Sequence, residues 1–209
     1  MRIVKPAEER KKEILDIAEK LFAEKGFDNA STNDIINSIG IARGTLYHHF
    51  SSKEEILDAL VERMTSEGIA RARAVVADCD VPLLERLLGA IMALNISTGA
   101  EAEVFEQIHK PQNALLHQKM QERLFNGVVP LIVQLIEEGN KSGIFDAKYP
   151  AESAEMIILY SSVAFDELAG LSPEEREQKT KAFIYLTERL LGAEENSLKA
   201  AIMKIITNQ

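Results

Sequence analysis

The sequence contains a single cysteine, Cys79, which excludes an internal disulfide and every metal site built from several cysteines. Nothing in it therefore requires an oxidising compartment. The first ten residues have no apolar segment of the kind that a signal peptide needs. No run reaches the roughly 18 apolar residues of a membrane helix, and the nearest, 127–136, is interrupted by Pro130 and Gln134. These absences predict a cytoplasmic protein with no membrane partner.

Proline and glycine are scarce, with 6 and 11 residues among 209, while 46% of the residues are hydrophobic. This composition is typical of a globular chain and not of a disordered one. An excess of positive charge is also missing, since the formal net charge is −9. Residues 1–53, however, carry nine Lys and Arg against eight Asp and Glu. The acidic excess lies in the remainder, so charge alone does not exclude a nucleic-acid partner at the N-terminal end.

Apolar residues recur at helical spacing through most of the chain, and we predict an all-α fold. The first helix is expected over 7–25, ended by Gly26, and the second is expected to begin at a capping box of Ser31 and Asp34. No stretch shows the two-residue alternation of a strand. Pro130 should kink the helix that contains it. After four closely spaced N-terminal helices, longer ones are expected near 82–98, 101–109, 113–139, 150–169, 174–192 and 195–207.

Residues 32–57 have the pattern of a helix-turn-helix followed by a further helix. Gly40 permits the sharp turn, and the second helix keeps polar residues outward, so that it can enter the major groove. Arg43 can bind guanine or phosphate, and hydroxyl and imidazole groups follow it. Gly44 allows close backbone approach, while Thr32 and Lys53 begin helices, where phosphate is favoured. The predicted DNA-contacting residues are Thr32, Arg43, Gly44, Thr45, Tyr47, His48 and Lys53.

The segment Gly40-Ile-Ala-Arg-Gly-Thr-Leu-Tyr-His-His-Phe-Ser-Ser-Lys-Glu-Glu-Ile-Leu57 resembles the recognition-helix signature of the TetR family of repressors. Residues 14–33 also resemble the first helix and Gly-Phe corner of that family, and residues 138–154 resemble a join before its last helices. Two departures are Ala42, where the family often has a capping serine, and Ile36, which replaces a small alanine.

The resemblance implies a three-helix DNA-binding head at residues 1–50 and a helical regulatory domain at 51–209. It also implies a homodimer formed through a four-helix bundle of 150–169 and 174–192, which binds a pseudo-palindromic duplex operator. A small-molecule effector, whose identity the sequence does not reveal, would enter the regulatory domain and release the DNA. Repression is then expected in preference to activation.

Apolar and polar side chains on the central helices are the candidates for lining an effector pocket. Residues at helical spacing, however, ordinarily belong to the core of the protein. A metal site at Glu103, Glu106, His109 and His117 is not favoured, because Pro111 breaks the helix before His117. No metal and no cofactor are expected. The candidate pocket residues are Met92, Asn95, Phe105, His109, Phe125, Tyr160 and Phe165.

Catalytic motifs are missing from the sequence: it has no phosphate-binding loop after a strand, no nucleophile elbow and no paired-histidine zinc helix. We therefore predict that the chain is not an enzyme. The competing hypothesis is a helical small-molecule-binding protein or enzyme whose helix-turn-helix serves only packing. It predicts no affinity for duplex DNA and no effect of replacing Arg43 or His48.

Overall fold

The computed structural model of the chain describes residues 6–93, 101–166 and 171–201, without the side chains of residues 101, 102, 105 and 163–166. Over these residues the chain is helical, with no strand, which confirms the predicted all-α class. None of the described helices has the length and apolar character needed to cross a membrane. The helices are α1 (Ala7–Lys25), α2 (Thr32–Ile39), α3 (Arg43–His49), α4 (Lys53–Ala77), α5 (Leu83–Met92), α6 (Glu101–Ile108), α7 (Ala114–Ser142), α8 (Pro150–Asp166) and α9 (Pro173–Leu191).

The helices belong to two compact units. The first unit contains residues 1–67 and 96–120, and the second contains residues 68–95 and 121–209. The first unit therefore holds α1, α2, α3, most of α4 and also α6. The functional boundary after residue 50 stays a prediction.

The first unit is built around α1, whose apolar residues recur every three or four positions and bury one face. Phe22 on this face meets the ring of Phe27 edge to face, with 5.0 Å between the ring centroids. Arg63 of α4 donates to Asp16 of α1 at 2.5 Å and to Glu19 at 2.8 Å. These contacts fix α4 along α1. Fully buried side chains from α2, α3 and α4 complete the core, among them Ile35, Leu46, Ile56, Leu57 and Leu60.

The second unit has a largely aliphatic core, most of it from α4, α5, α7, α8 and α9, to which Phe145, Ala147 and Leu198 also contribute. Arg86 is buried in it, and its guanidinium donates to the carbonyls of Val76 and Val81, each at 3.1 Å, and to the carboxylate of Glu138. The Glu138 carboxylate raises the pKa of Arg86 further above its usual value. A buried cation is tolerated because these partners satisfy it. Pro130 does not end α7, which continues to Ser142.

Candidate nucleic-acid interface

The start of α2 is fixed by the predicted capping box. The Asp34 amide donates to Ser31 Oγ at 3.2 Å, and the Ser31 amide donates to Asp34 Oδ2 at 2.9 Å. Lys25 Nζ also donates to Asp34 Oδ1 at 2.7 Å. The hydrogen bond from Lys25 and those from Ser31 hold the pKa of Asp34 well below its usual value. The predicted capping box is therefore confirmed, and the end of α1 is tied to the start of α2.

A sharp turn at Gly40 separates α2 from α3. Gly40 has φ 73° and ψ 34°, a left-handed conformation that glycine adopts without steric cost. The amides of Gly40 and Ile41 both donate to the Ile36 carbonyl, at 2.9 and 3.2 Å. On the other side of the turn, Ala42 precedes α3 and provides no side-chain cap, as its alanine side chain predicts. Leu46 of α3 is fully buried, so the opposite face of this helix lies outward.

The outward face of α3 carries the predicted DNA-contacting side chains. Arg43, Gly44, Tyr47 and His48 are exposed, and Thr45 is half-buried. The Tyr47 hydroxyl lies 3.4 Å from Thr32 Oγ1, and the Arg43 guanidinium lies 5.4 Å from the centre of the Tyr47 ring. The contact with Thr32 and then that with Arg43 lower the pKa of Tyr47. Thr32, Arg43 and Tyr47 thus form one polar surface that joins the start of α2 to the outward face of α3.

His49 differs from its neighbour His48 in burial. Partial burial lowers the pKa of His49, and the nearby positive charges of His48, Arg10 and Lys11 lower it further, against an opposing effect of Glu8. Lowering the pKa of a histidine favours its neutral form at physiological pH. His49 therefore fits a role at the rim of the core better than that of a cationic DNA contact.

Lys53 is directed into the protein. Its Nζ donates to the carbonyl oxygens of Phe27 at 2.7 Å, Ala30 at 3.0 Å and Asp28 at 3.4 Å, and it lies 4.3 Å from the centre of the Phe27 ring. A lysine ammonium has three N–H donors, and these carbonyls can occupy all of them. The structure therefore gives Lys53 a packing role in the loop after α1. Its contact with phosphate stays a prediction.

Two residues that the sequence did not indicate reach the same loop. Glu103 Oε1 accepts a hydrogen bond from the Phe27 amide at 3.0 Å, and Lys110 Nζ pairs with Asp28 Oδ2 at 3.0 Å. Each partner lies 76 or 82 residues away along the chain, so no local motif links them. Only the observed placement of α6 beside α1 reveals these contacts.

The structure describes the side chains of four of the seven candidate pocket residues. Met92 and His109 are exposed, and Phe125 is half-buried against the core of the second unit. Tyr160 is 44% exposed and stacks on Phe183 at 5.8 Å. Asn95 lies outside the described residues, as do the side chains of Phe105 and Phe165. The pocket therefore stays a prediction.

Two histidines of the metal alternative, which the sequence does not favour, lie close together. The rings of His109 and His117 lie 4.8 Å apart. Within the described part of the chain, no three His, Cys, Asp or Glu side chains form a group that could hold a metal ion.

Two family models match the chain. The model of bacterial regulatory proteins of the tetR family matches residues 14–60, and that of the tetracyclin repressor-like C-terminal domain matches residues 96–186. The second match begins before α6, so α6 belongs to the C-terminal family domain although it lies in the first compact unit. Together the two matches cover most of the sequence.

Curated relatives match part of the chain. The HTH-type transcriptional repressor KstR2 of Mycobacterium tuberculosis is 40% identical over 92 residues, which is 44% of this chain and 46% of the relative. The HTH-type transcriptional regulator UidR of Escherichia coli is 43% identical over 60 residues, 29% of this chain and 31% of the relative. The chain thus matches less than half the length of each of these relatives.

Solved structures extend the likeness of the fold to nearly the whole chain. A TetR-family transcriptional regulator from Pectobacterium atrosepticum has a TM-score of 0.68 at 23% identity, covering 91% of this chain and 98% of that one. Escherichia coli NemR in its reduced form has a TM-score of 0.58 at 16% identity, covering 88% and 98%. The helix-turn-helix, both family models and these folds agree with the predicted membership, and the chain belongs to the TetR family of DNA-binding transcriptional regulators.

Proposed function

We propose that the chain is a non-enzymatic, cytoplasmic repressor that binds a pseudo-palindromic operator as a homodimer and is released by a small-molecule effector. The observation that carries the proposal is the polar surface of Thr32, Arg43 and Tyr47 on an exposed face of the helix-turn-helix. The KstR2 relative is itself named as a transcriptional repressor, which supports repression here. A dimer that covers its operator excludes other proteins from that DNA.

In the proposed complex, α3 enters the major groove with its N-terminal residues nearest the base edges. Arg43 donates to guanine O6 and N7, or to phosphate, while Thr45 and His48 offer further hydrogen-bonding groups. The ring of Tyr47 lies beside the Arg43 guanidinium and restricts where this flexible side chain can point. Thr32, at the start of α2, contacts phosphate.

The proposed dimer forms through the exposed apolar faces of α8 and α9. Met156, Leu159 and Tyr160 are three and four positions apart on α8, and all are exposed. Tyr185 and Leu186 are exposed on α9, which packs against α8. Monomeric proteins seldom leave so many apolar residues together at the surface. In the TetR fold a second copy of the same two helices covers this face, and a twofold axis makes the surface self-complementary.

An effector acts in this proposal by binding more tightly to the arrangement of the dimer that does not bind DNA. We place its site in the helical region after residue 51, with Met92, Asn95, Phe105, His109, Phe125, Tyr160 and Phe165 as the candidate lining. An effector with equal affinity for both arrangements would leave the operator occupied.

The direct test is selection of duplexes from a random pool, followed by fluorescence-anisotropy titration at several salt concentrations. We expect a palindromic consensus and a log-log salt slope of about −5, as roughly six neutralised phosphates would give. Arg43→Ala should weaken binding about tenfold and relax the base preference at one position in each half-site. Arg73→Ala removes the same charge from an exposed position on α4 and should have little effect.

The opposite result would favour the competing class of protein. If no duplex binds better than about micromolar at low salt, and Arg43→Ala behaves like Arg73→Ala, the helix-turn-helix serves only packing. Small molecules that bind the helical region would then be the ligands to test.

Gly44 offers a second test, in which stability and DNA affinity should change in opposite directions. A Cβ at Gly44 would meet no atom within 4 Å, so alanine fits the protein without strain. Because alanine favours a helix, Gly44→Ala should raise the free energy of unfolding by up to about 1 kcal/mol. The added methyl group should nevertheless weaken operator binding, since it stands between the α3 backbone and the DNA. Denaturant titration and anisotropy measure the two effects, and unchanged operator affinity would count against close backbone approach.

A further inference from the structure

The loop between α1 and α2, residues Gly26–Ala30, determines where α2 begins. We call it the α1–α2 corner. Gly26 has φ 77° and ψ 148°, a conformation that side chains disfavour, and the Ala30 amide donates to the Gly26 carbonyl at 3.1 Å. Phe27 anchors the corner in the core through its contact with Phe22. The residue after the corner is Ser31, the N-cap of α2, so a shift of the corner shifts the start of α2.

Two side chains from outside the helix-turn-helix hold this corner. One is Glu103 of α6, and the other is Lys110, which follows soon after the end of α6. Glu103 Oε1 accepts from the Phe27 amide at 3.0 Å, and Lys110 Nζ pairs with Asp28 at 3.0 Å. The Phe27 amide lies beyond the end of α1 and is not used by that helix. A carboxylate is a strong acceptor for such an amide, because the negative charge strengthens the hydrogen bond.

The Glu103 carboxylate is itself held in place. Gln107, one helical turn further along α6, donates from Nε2 to Glu103 Oε1 at 2.9 Å. Gln107 is only 3% exposed, and Asn113 Nδ2 donates to its backbone carbonyl at 2.8 Å. Glu103 is therefore oriented toward the corner by a buried neighbour, and the contact is more constrained than a mobile surface ion pair.

From the corner, contacts continue to the DNA-reading surface within the same compact unit. Lys25, just before the corner, binds Asp34 of the α2 capping box at 2.7 Å. Thr32, the first residue of α2, lies 3.4 Å from the Tyr47 hydroxyl, and Arg43 lies over the Tyr47 ring. The position of the corner therefore bears on the placement of all three members of the polar surface.

We propose that Glu103 and Lys110 are positioning residues for DNA binding. They fix the α1–α2 corner, and through it the start of α2 and the presentation of Thr32 and Arg43 to the operator. They need no contact with DNA for this role. The inference rests on the proposed function and adds to it two residues that lie outside the helix-turn-helix.

For the replacement of Glu103 by glutamine, the positioning role predicts weaker DNA binding, whereas the change in charge alone predicts stronger binding. Removing a negative charge from a protein that binds polyanionic DNA should strengthen binding. A loss of affinity in Glu103→Gln would therefore indicate lost positioning and not changed charge. Glu106→Gln is the matched control, because Glu106 is an exposed glutamate on the same helix and the substitution changes the net charge equally.

The experiment measures affinity of the full-length chain for the duplex that the wild-type protein selects, and for an unrelated duplex of equal length. Glu103→Gln and Lys110→Ala should each weaken binding to the selected duplex by about three- to tenfold. Glu106→Gln should bind equally or slightly more tightly. Lys119→Ala removes a lysine that pairs with Asp58 at 3.5 Å in the same unit, and it should change affinity by less than about twofold.

A merely structural role for the two residues would lower the melting temperature without changing the preference for the selected duplex. We expect the ratio of specific to non-specific affinity to fall in Glu103→Gln, while binding to the unrelated duplex is unchanged or slightly tighter, as the lost negative charge alone predicts. In the exchange Asp28→Lys with Lys110→Asp, the pair is restored, and affinity should recover relative to Lys110→Asp alone.

Two outcomes would overturn the inference, and they are distinguishable. If the wild-type chain selects no duplex, the proposed function fails and the inference falls with it. If the wild-type chain binds its selected duplex while Glu103→Gln matches Glu106→Gln and Lys110→Ala matches Lys119→Ala, only the positioning role is wrong.

Discussion

Replacing Leu159 with glutamate should convert the proposed dimer to a monomer and weaken binding to the proposed operator by about 10²- to 10⁴-fold. Leu159 is 53% exposed and lies between Met156 and Tyr160 on the apolar face of α8. In a twofold interface the substitution places a charge in both copies of the same patch, where it loses water and gains no partner. The monomer then binds one half-site without the gain that the linked second half-site provides. Analytical ultracentrifugation and anisotropy measure the two effects.

Leu115→Glu is the matched control for this prediction. Leu115 is an even more exposed leucine, at 66%, but it lies on α7 in the first compact unit and not on α8 or α9. This variant should remain dimeric and bind the operator. A Leu159→Glu protein that still sediments as a dimer and binds normally would show that the apolar face of α8 is not the dimer interface.

The features that the sequence predicted well are those determined by neighbouring residues. The sequence predicts the bounds of α1, the capping box of Ser31 and Asp34 and the sharp turn at Gly40, and the structure confirms them. Each depends on hydrogen bonds or backbone angles within four residues of chain. The same holds for the missing side-chain cap at Ala42. Local chemistry therefore located the helix-turn-helix and its exposed face.

Contacts between segments that are distant along the chain could not be predicted from the sequence. Lys53 begins a helix, which predicts a phosphate contact, and the sequence gives no sign that its ammonium also donates to the carbonyls of the α1–α2 corner. Which group a long flexible side chain meets depends on the packing of α4 against the corner, and helical spacing does not report it. The contacts of Glu103 and Lys110 with the corner were not predicted for the same reason.

Helical spacing also does not identify what covers an apolar face. Tyr160 was a candidate for the effector pocket because it is an aromatic residue on a central helix. In the structure it is half exposed and stacks on Phe183 of α9, beside the residues that we propose for the dimer interface. Residues that face a partner chain and residues that face a pocket follow the same three- and four-residue spacing. The difference between them lies in tertiary structure.

Gly139, near the end of α7, is a glycine whose missing side chain is needed for packing, although the sequence gives no sign of this. The chain after α7 folds back onto the helix, and the amides of Ile144 and Phe145 donate to the Gly139 carbonyl at 2.9 and 3.1 Å. Asn140 binds the backbone of Ala147 with both ends of its amide, at 2.8 and 2.9 Å. The Phe145 ring is thereby buried directly against Gly139, in the space that a Cβ would occupy.

Gly139→Ala should lower the free energy of unfolding by about 2–3 kcal/mol, although alanine favours a helix by about 1 kcal/mol. The new Cβ would overlap Phe145 Cδ2, and the buried, hydrogen-bonded segment leaves the ring little room to move. Gly68→Ala is the control: its Cβ meets nothing closer than 3.8 Å, so it should be neutral or slightly stabilising in the same denaturant titration. Adding Phe145→Leu to Gly139→Ala should cost less than the sum of the two single changes, because the smaller side chain relieves the clash. Additive costs, or a Gly139→Ala protein as stable as the wild type, would mean that the ring does not pack on this glycine.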